Sequence, residues 1–258
     1  MLGAIAGDII GSVFERHPHK DTQFPLFCPH SRFTDDTVLT IAIADALLNH
    51  LPFEDTIRKY ALAYPTAGYG SFFKKWAAGI LNEPYQSWGN GSAMRVSPAG
   101  FAFDEMDDVL DVAKQTALPT HGHPEGIKGA QAVAAAIFLA RNGFGKPVIK
   151  DQIERTFGYD LSTPLNVIRP SYQFDVSCQG SVPQSICSFL ESDNWESAVR
   201  NAVSLGGDAD TMACIAGGIA EAYYGGVPVE VELEVMKRIP DDFKAIISQF
   251  YTRFPWQD

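Results

Sequence analysis

Apolar residues recur at intervals of three and four over most of this chain, and no sustained two-residue alternation runs between hairpin turns. Such a pattern admits little besides packed helices. Over 38–48, for example, Val38, Ile41, Ala42, Asp45, Ala46 and Leu48 follow the helical repeat. The periodicity predicts helices over 3–14, 35–49, 54–63, 71–81, 107–117, 124–141, 148–157, 179–191, 195–204, 210–224, 230–238 and 241–252. These segments are rich in Ala and Gly, which lets helix axes come close. The fold class expected is all-α, a helical bundle. No Gly/Ser tract or charge block divides the chain, so residues 1–258 are expected to form one domain.

Three stretches break the helical pattern: 16–33, 82–106 and 158–178, with 166–176 able to run extended. Loops of this length in a compact domain usually serve as lids or binding walls.

Two acidic clusters stand at the heads of apolar helices. Thr34, Asp35 and Asp36 precede Val38–Leu48, and Asp208, Asp210 and Thr211 precede Met212–Tyr223. Helix capping explains one oxygen-bearing side chain per helix. Here each cluster has three, with no cation nearby in sequence. Carboxylates drawn together repel unless a proton or a metal neutralises them. Carboxylate, hydroxyl and water ligands suit a hard ion such as Mg²⁺ or Mn²⁺. Asp35 and Asp36, adjacent at a helix start, point apart. They fit two ions, or one ion with the second carboxylate behind it, better than a single chelate.

Other candidates are individually weaker. Glu15, read alone, is a solvated glutamate at a helix end. The turn Gly89-Asn90-Gly91 precedes a short helical stretch and could cradle phosphate with its N–H groups, or simply join loop to helix. It lacks the lysine of a nucleotide-hydrolase P-loop. Trp88 could stack on a base or fill the core. His121 and His123 precede a helix, but no cysteine or third histidine accompanies them as a zinc site requires. His121 reads as a hydrogen-bond donor to a ligand or as a satisfied buried histidine.

Bulk properties narrow the partners. The formal net charge is −11, which disfavours attraction to nucleic acid or an anionic membrane. No apolar run is long enough to span a bilayer, and the first residues lack the basic start of a secretory signal. Four scattered cysteines suggest reduced thiols. A cytoplasmic monomer is expected.

Taken together, "GAIAGDIIGSVFE", "FTDDTVLTIAIADAL", "WGNGSAMRVSP", "THGHPEGIKGA", "CQGSVPQSI" and "GGDADTMACIAGGIAEAYYG" resemble the ADP-ribosylglycohydrolase family in its own order. That family includes the dinitrogenase-reductase-activating glycohydrolases and the ADP-ribosylserine hydrolases. The resemblance implies a compact orthogonal α-helical bundle with two Mg²⁺ or Mn²⁺ ions at its mouth. It makes Thr34, Asp35, Asp36, Asp208, Asp210 and Thr211 the metal ligands, and Glu15, with Asp35 and Asp210, the catalytic set. Ser87, Gly89, Asn90, Gly91 and Ser92 would meet the diphosphate and its ribose, Trp88 the adenine, and His121 the ligand cleft. The implied substrate is an ADP-ribosylated protein or a small ADP-ribose conjugate, cleaved at the anomeric carbon through an oxocarbenium-like transition state.

The chain is shorter than many members, and its loop over 16–33 is its own. Arginine, serine, O-acetyl and nucleobase acceptors all stay open. Two rival readings stand beside the glycohydrolase: another two-metal hydrolase acting on a nucleotide diphosphate, and a non-catalytic ADP-ribose binder.

Overall fold

The computed structural model describes residues 1–81 and 84–255. The expected loop over 82–106 begins on residues 82–83, outside the described residues, as do 256–258 of the expected domain. The chain runs through α1 (Leu2–Gly11), α2 (Asp35–Asn49), α3 (Phe53–Ala63), α4 (Ser71–Ala77), α5 (Gly91–Met94), α6 (Ser97–Ala102), α7 (Met106–Ala117) and α8 (Pro124–Arg141). It continues through α9 (Lys146–Phe157), α10 (Leu165–Ile168), α11 (Cys178–Leu190), α12 (Trp195–Val203), α13 (Ala209–Tyr224), α14 (Val229–Met236) and α15 (Asp241–Arg253). Among the described residues the only strand-like pairings are two antiparallel bridges, Gln86 with His121 and Gly89 with Ser177. The fold is an all-α bundle, as the periodicity required.

Each of the twelve expected helices is present, and α5, α6 and α10 are additional short ones. Three expectations are corrected. The first helix stops at Gly11, where the Ser12 hydroxyl donates back to the carbonyl of Ile9, and Glu15 lies in the turn beyond. The stretch 71–81 is helical only to Ala77, because Gly79 takes a left-handed φ of 71° just past the end. Residues 166–168 are not extended. Pro164 starts α10, and the freed N–H of Leu165 donates to Oε1 of Glu191 at 2.8 Å.

The centre of the molecule is the pairing of α1 with α13. Gly3, Gly7 and Gly11 recur every four residues, which lines them up on one face of α1. A Cβ at Gly7 would fall 2.0 Å from the carbonyl oxygen of Ala213, and one at Gly11 would fall 2.4 Å from that of Ala209. Gly217 answers from α13, 2.3 Å from the carbonyl oxygen of Gly3 by the same measure. Backbone therefore meets backbone with no side chain between. Residues Ala209 to Ala222 of α13 are all buried, flanked also by α8, α11 and α12. Buried apolar side chains from most of the helices join this pair in one core. Among the described residues no helix is long and apolar enough to cross a membrane.

Candidate active site

Asp8 is a carboxylate within the apolar sequence of α1, and it is fully buried. It accepts the Thr34 N–H at 2.9 Å, the Thr34 hydroxyl at 2.7 Å, the Thr37 N–H at 3.1 Å and the Thr37 hydroxyl. Four donors on one side chain dock the head of α2 onto α1. The Thr34 hydroxyl also accepts the Asp36 N–H at 3.3 Å, so it caps α2 while holding Asp8. Capping thus accounts for Thr34 and leaves both aspartates of the cluster free for other work. The Asp35 N–H donates to the carbonyl of Ala67 at 2.9 Å. Asp36 is buried, and its Oδ2 has no hydrogen-bond partner among the described residues.

The second cluster is delivered by the Gly206-Gly207 turn at the head of α13. Gly206 has a φ of 68°, and the Tyr172 ring lies so close to Gly207 that a Cβ there would stand 2.4 Å from it. Asp208 occupies the N-cap position without capping. Its Oδ2 instead accepts from Nδ2 of Asn90 at 2.8 Å. Asp210 accepts the Thr211 N–H on Oδ1 at 2.9 Å.

Because α1 lies against α13 and α2 is docked on α1, the two clusters share one electrostatic environment. Asp36 titrates well above the usual carboxylate range, first because it is buried and then through repulsion from Asp8, Asp35 and Asp208. Asp210 is raised in the same way by burial, Asp208, Asp36, Asp8 and Glu15. Burial also raises Asp35 and Asp208, and both feel Glu15. None of the ion pairs among the described residues involves these six carboxyl groups. Nor is any group of three or more His, Cys, Asp or Glu side chains among them arranged to hold a metal ion as it stands. The donor chemistry nonetheless fits a hard divalent cation: carboxylates and hydroxyls from two helix heads, one buried oxygen without a donor, and no protein cation to neutralise the set.

The other candidates surround this centre in different ways. The segment around Ser87–Asn90 is pinned between two others, with the Ser87 N–H on the Thr120 carbonyl at 3.3 Å on one side, and on the other the Cys178 N–H on the Trp88 carbonyl at 2.9 Å and the Asn90 N–H on that of Val176 at 2.8 Å. Ser87 accepts the Gly89 N–H at 3.0 Å. Trp88 is 56% exposed, with the His123 ring in a T-shaped contact at 5.7 Å, so it is not a core tryptophan. Asn90 is committed to Asp208, and also donates to Ser181 at 3.2 Å. Ser92 is buried and donates to the carbonyl of Gly126 at 2.7 Å, which turns its hydroxyl into the interior. His121 lies against the turn, its Nε2 3.0 Å from where a Gly91 Cβ would be. His123 caps α8 through Nδ1.

Sequence reading missed three contributors. Asp8 is a lone carboxylate in an apolar helix, and its position three residues before Gly11 places it near the glycine face. The Ala67-Gly68 turn packs on Asp35, where a Cβ at Gly68 would be 2.9 Å from Oδ1. Tyr172 backs Gly207 and is fixed by its hydroxyl on the carbonyl of Gly180 at 2.6 Å. The loop over 16–33 is also tied down, by Lys20 donating to the carbonyls of Arg169, Tyr172 and Leu205. A groove of about 1060 Å³ opens beside Tyr172 and Asp175, but none of the expected metal ligands lines it.

The family profile described as ADP-ribosylglycohydrolase matches residues 1–258. The chain is similar to the ADP-ribosylhydrolase ARH3 of Xenopus tropicalis, at 27% identity over 98% of this chain and 95% of that one. It is 28% identical to the human ADP-ribosylhydrolase ARH3, over 87% and 84% of the two chains. It is 23% identical to the ADP-ribosylarginine hydrolase Tri1 of Pseudomonas putida, over 89% and 71%. A solved structure titled ADP-ribosylglycohydrolase-related protein complex shares the fold, with a TM-score of 0.71 over 98% of this chain and 96% of that one, at 22% identity.

Proposed function

The chain belongs to the ADP-ribosylglycohydrolase family, and we propose that it hydrolyses the glycosidic bond between ADP-ribose and an acceptor, releasing ADP-ribose, in a divalent-metal-dependent reaction. The observation that carries this reading is that the helix heads bearing Thr34, Asp35 and Asp36 and bearing Asp208, Asp210 and Thr211 share one field, Asp208 repelling Asp35 and Asp36 and Asp36 repelling Asp210. Those six residues would hold two Mg²⁺ or Mn²⁺ ions. Bound there, the ions would neutralise the carboxylates and supply positive charge opposite the oxygens of the reacting ribose.

The protein's own groups do the rest. Glu15 stands in the turn beyond α1, within electrostatic reach of Asp35, Asp208 and Asp210. Its carboxylate orients or deprotonates the water that attacks the anomeric carbon, or passes a proton to the departing acceptor. Asp35 and Asp210, each repelled by Asp8, Asp208 and Glu15, would stabilise positive charge developing on the ribose. Asn90 holds Asp208 in place. The diphosphate would lie at the turn Ser87–Gly91, with His121 beside it, and exposed Trp88 offers a face for adenine. Four free cysteines suit a reducing, cytoplasmic setting.

The deciding assay incubates the protein with ADP-ribosylated arginine, serine, O-acetyl and nucleobase substrates, with Mg²⁺ or Mn²⁺ and with chelator. Metal-dependent release of free ADP-ribose from at least one is expected. AMP with ribose phosphate as products would point to cleavage of the diphosphate instead, and binding with no turnover on any substrate would leave a non-catalytic binder.

A further inference from the structure

Arg95 is buried to 0% exposure, yet among the described residues no carboxylate pairs with it. Its Nη2 donates to the carbonyl of Thr116 at 2.6 Å and to the hydroxyl of Thr120 at 2.9 Å, while Nε and Nη1 have no partner among the described residues. A guanidinium in this state is costly to keep in an interior, and a side chain of similar volume without charge would pack there at less expense. What arginine supplies that an apolar residue cannot is a set of donors that never accept.

That one-way character propagates. Thr120 is fully buried, and its hydroxyl lies 2.7 Å from Nδ1 of His121. Since the hydroxyl oxygen accepts from Arg95, its single proton needs an acceptor, and Nδ1 is the one within reach. Nδ1 must then be bare, and the proton of the ring sits on Nε2. Nε2 faces the Gly89–Gly91 turn, 3.0 Å from a Cβ at Gly91 and 3.6 Å from one at Gly89. Arg95 and Tyr85 are the titratable groups that face this ring.

The geometry points to Arg95 and Thr120 as positioning residues that fix His121 as a neutral imidazole donating from Nε2 into the turn, toward an anionic oxygen of the ligand. The two inner residues set which ring nitrogen carries the proton. A fixed donor selects for a phosphate-bearing ligand and refuses a second donor at the same point. The ligand half rests on the ADP-ribose reading above; the relay itself does not.

Nitrogen-15 NMR of the imidazole rings in the full-length protein tests it. In the wild type at neutral pH, His121 should show a protonated Nε2 and a bare Nδ1. Thr120→Val, close in shape, should lose that signature and raise the Kd and KM for ADP-ribose compounds roughly tenfold, with kcat less affected. Thr120→Ser, which keeps the hydroxyl, should restore both. A proton on Nδ1 in the wild type, or an unchanged ring in Thr120→Val, overturns the assignment. The expected ring signature in a wild type that binds no ADP-ribose supports the relay and sinks the functional reading instead.

Discussion

Asp8 and Thr34, 26 residues apart in sequence, are joined twice: one carboxylate receives both the main-chain N–H and the hydroxyl of the other residue. The first helix thereby sets where the second begins. In Asp8→Asn an amide NH₂ would face donors from Thr34 or Thr37. With hydrogen bonds to a charged group worth about 2–3 kcal/mol, Tm should fall by roughly 5–10 °C. Turnover should fall as well, because the Asp35–Asp36 pair loses its seat. Scanning calorimetry and an ADP-ribose release assay read both, and a variant equal to wild type in each would clear Asp8 of this role.

Asp210 lies in the first turn of α13 with its carboxylate buried among others of the same sign. Asp210→Ala should abolish metal-dependent hydrolysis while leaving the helical circular dichroism intact. Full turnover with metal present would remove Asp210 from the site.

Glu15 sits in a turn, partly accessible, where a water could reach it. Glu15→Gln should still bind ADP-ribose but hydrolyse about 10²–10⁴-fold more slowly, the usual worth of a general acid or base. Single-turnover kinetics beside calorimetric binding separate the two effects. Near-wild-type rates would exclude it from the chemistry.

Gly7 has no room for a methyl group, since the obstruction is the backbone of Ala213 rather than a movable side chain. Gly7→Ala should cost at least about 1–3 kcal/mol, as overpacking does. Gly145→Ala, where the nearest atom is an ordinary 3.7 Å away, should cost far less. Urea denaturation of both variants checks the contrast.

Burial, and after it the charge of Arg95, hold His121 well below the usual histidine range. The unfolded chain therefore takes up a proton near pH 6.5 that the folded one refuses, and stability from this group falls as pH drops below about 6.5. Between pH 7.5 and 5.5 the loss should approach about 1.4 kcal/mol. Comparing the pH dependence of unfolding in the wild type and His121→Gln isolates it from the carboxylates.

Much of this was legible in the residues. Helical spacing announced each long helix, and the TDD and GGDAD stretches announced the two helix heads. What stayed hidden depends on distance in space. Asp8 carries no local mark of its four donors, since Thr34 and Thr37 come to it only by folding. Asn90 read as a ligand contact because its sequence neighbours are glycines, whereas its amide is drawn to Asp208 from 118 residues away. Ser92 read the same way and turned inward, because a four-residue helix puts it on the face toward α8. The break after Gly11 depends on a back-bond from Ser12, which apolar periodicity does not register.

The glycine seam also has a consequence for biosynthesis. Gly3 and Glu221 touch although 218 residues separate them, so α1, synthesised before α13, has no partner for its bare face until α13 has been made. A nascent molecule must carry that unsatisfied stripe until α13 emerges, and closure of the seam, a non-local event, is the moment at which the acidic centre first comes into being.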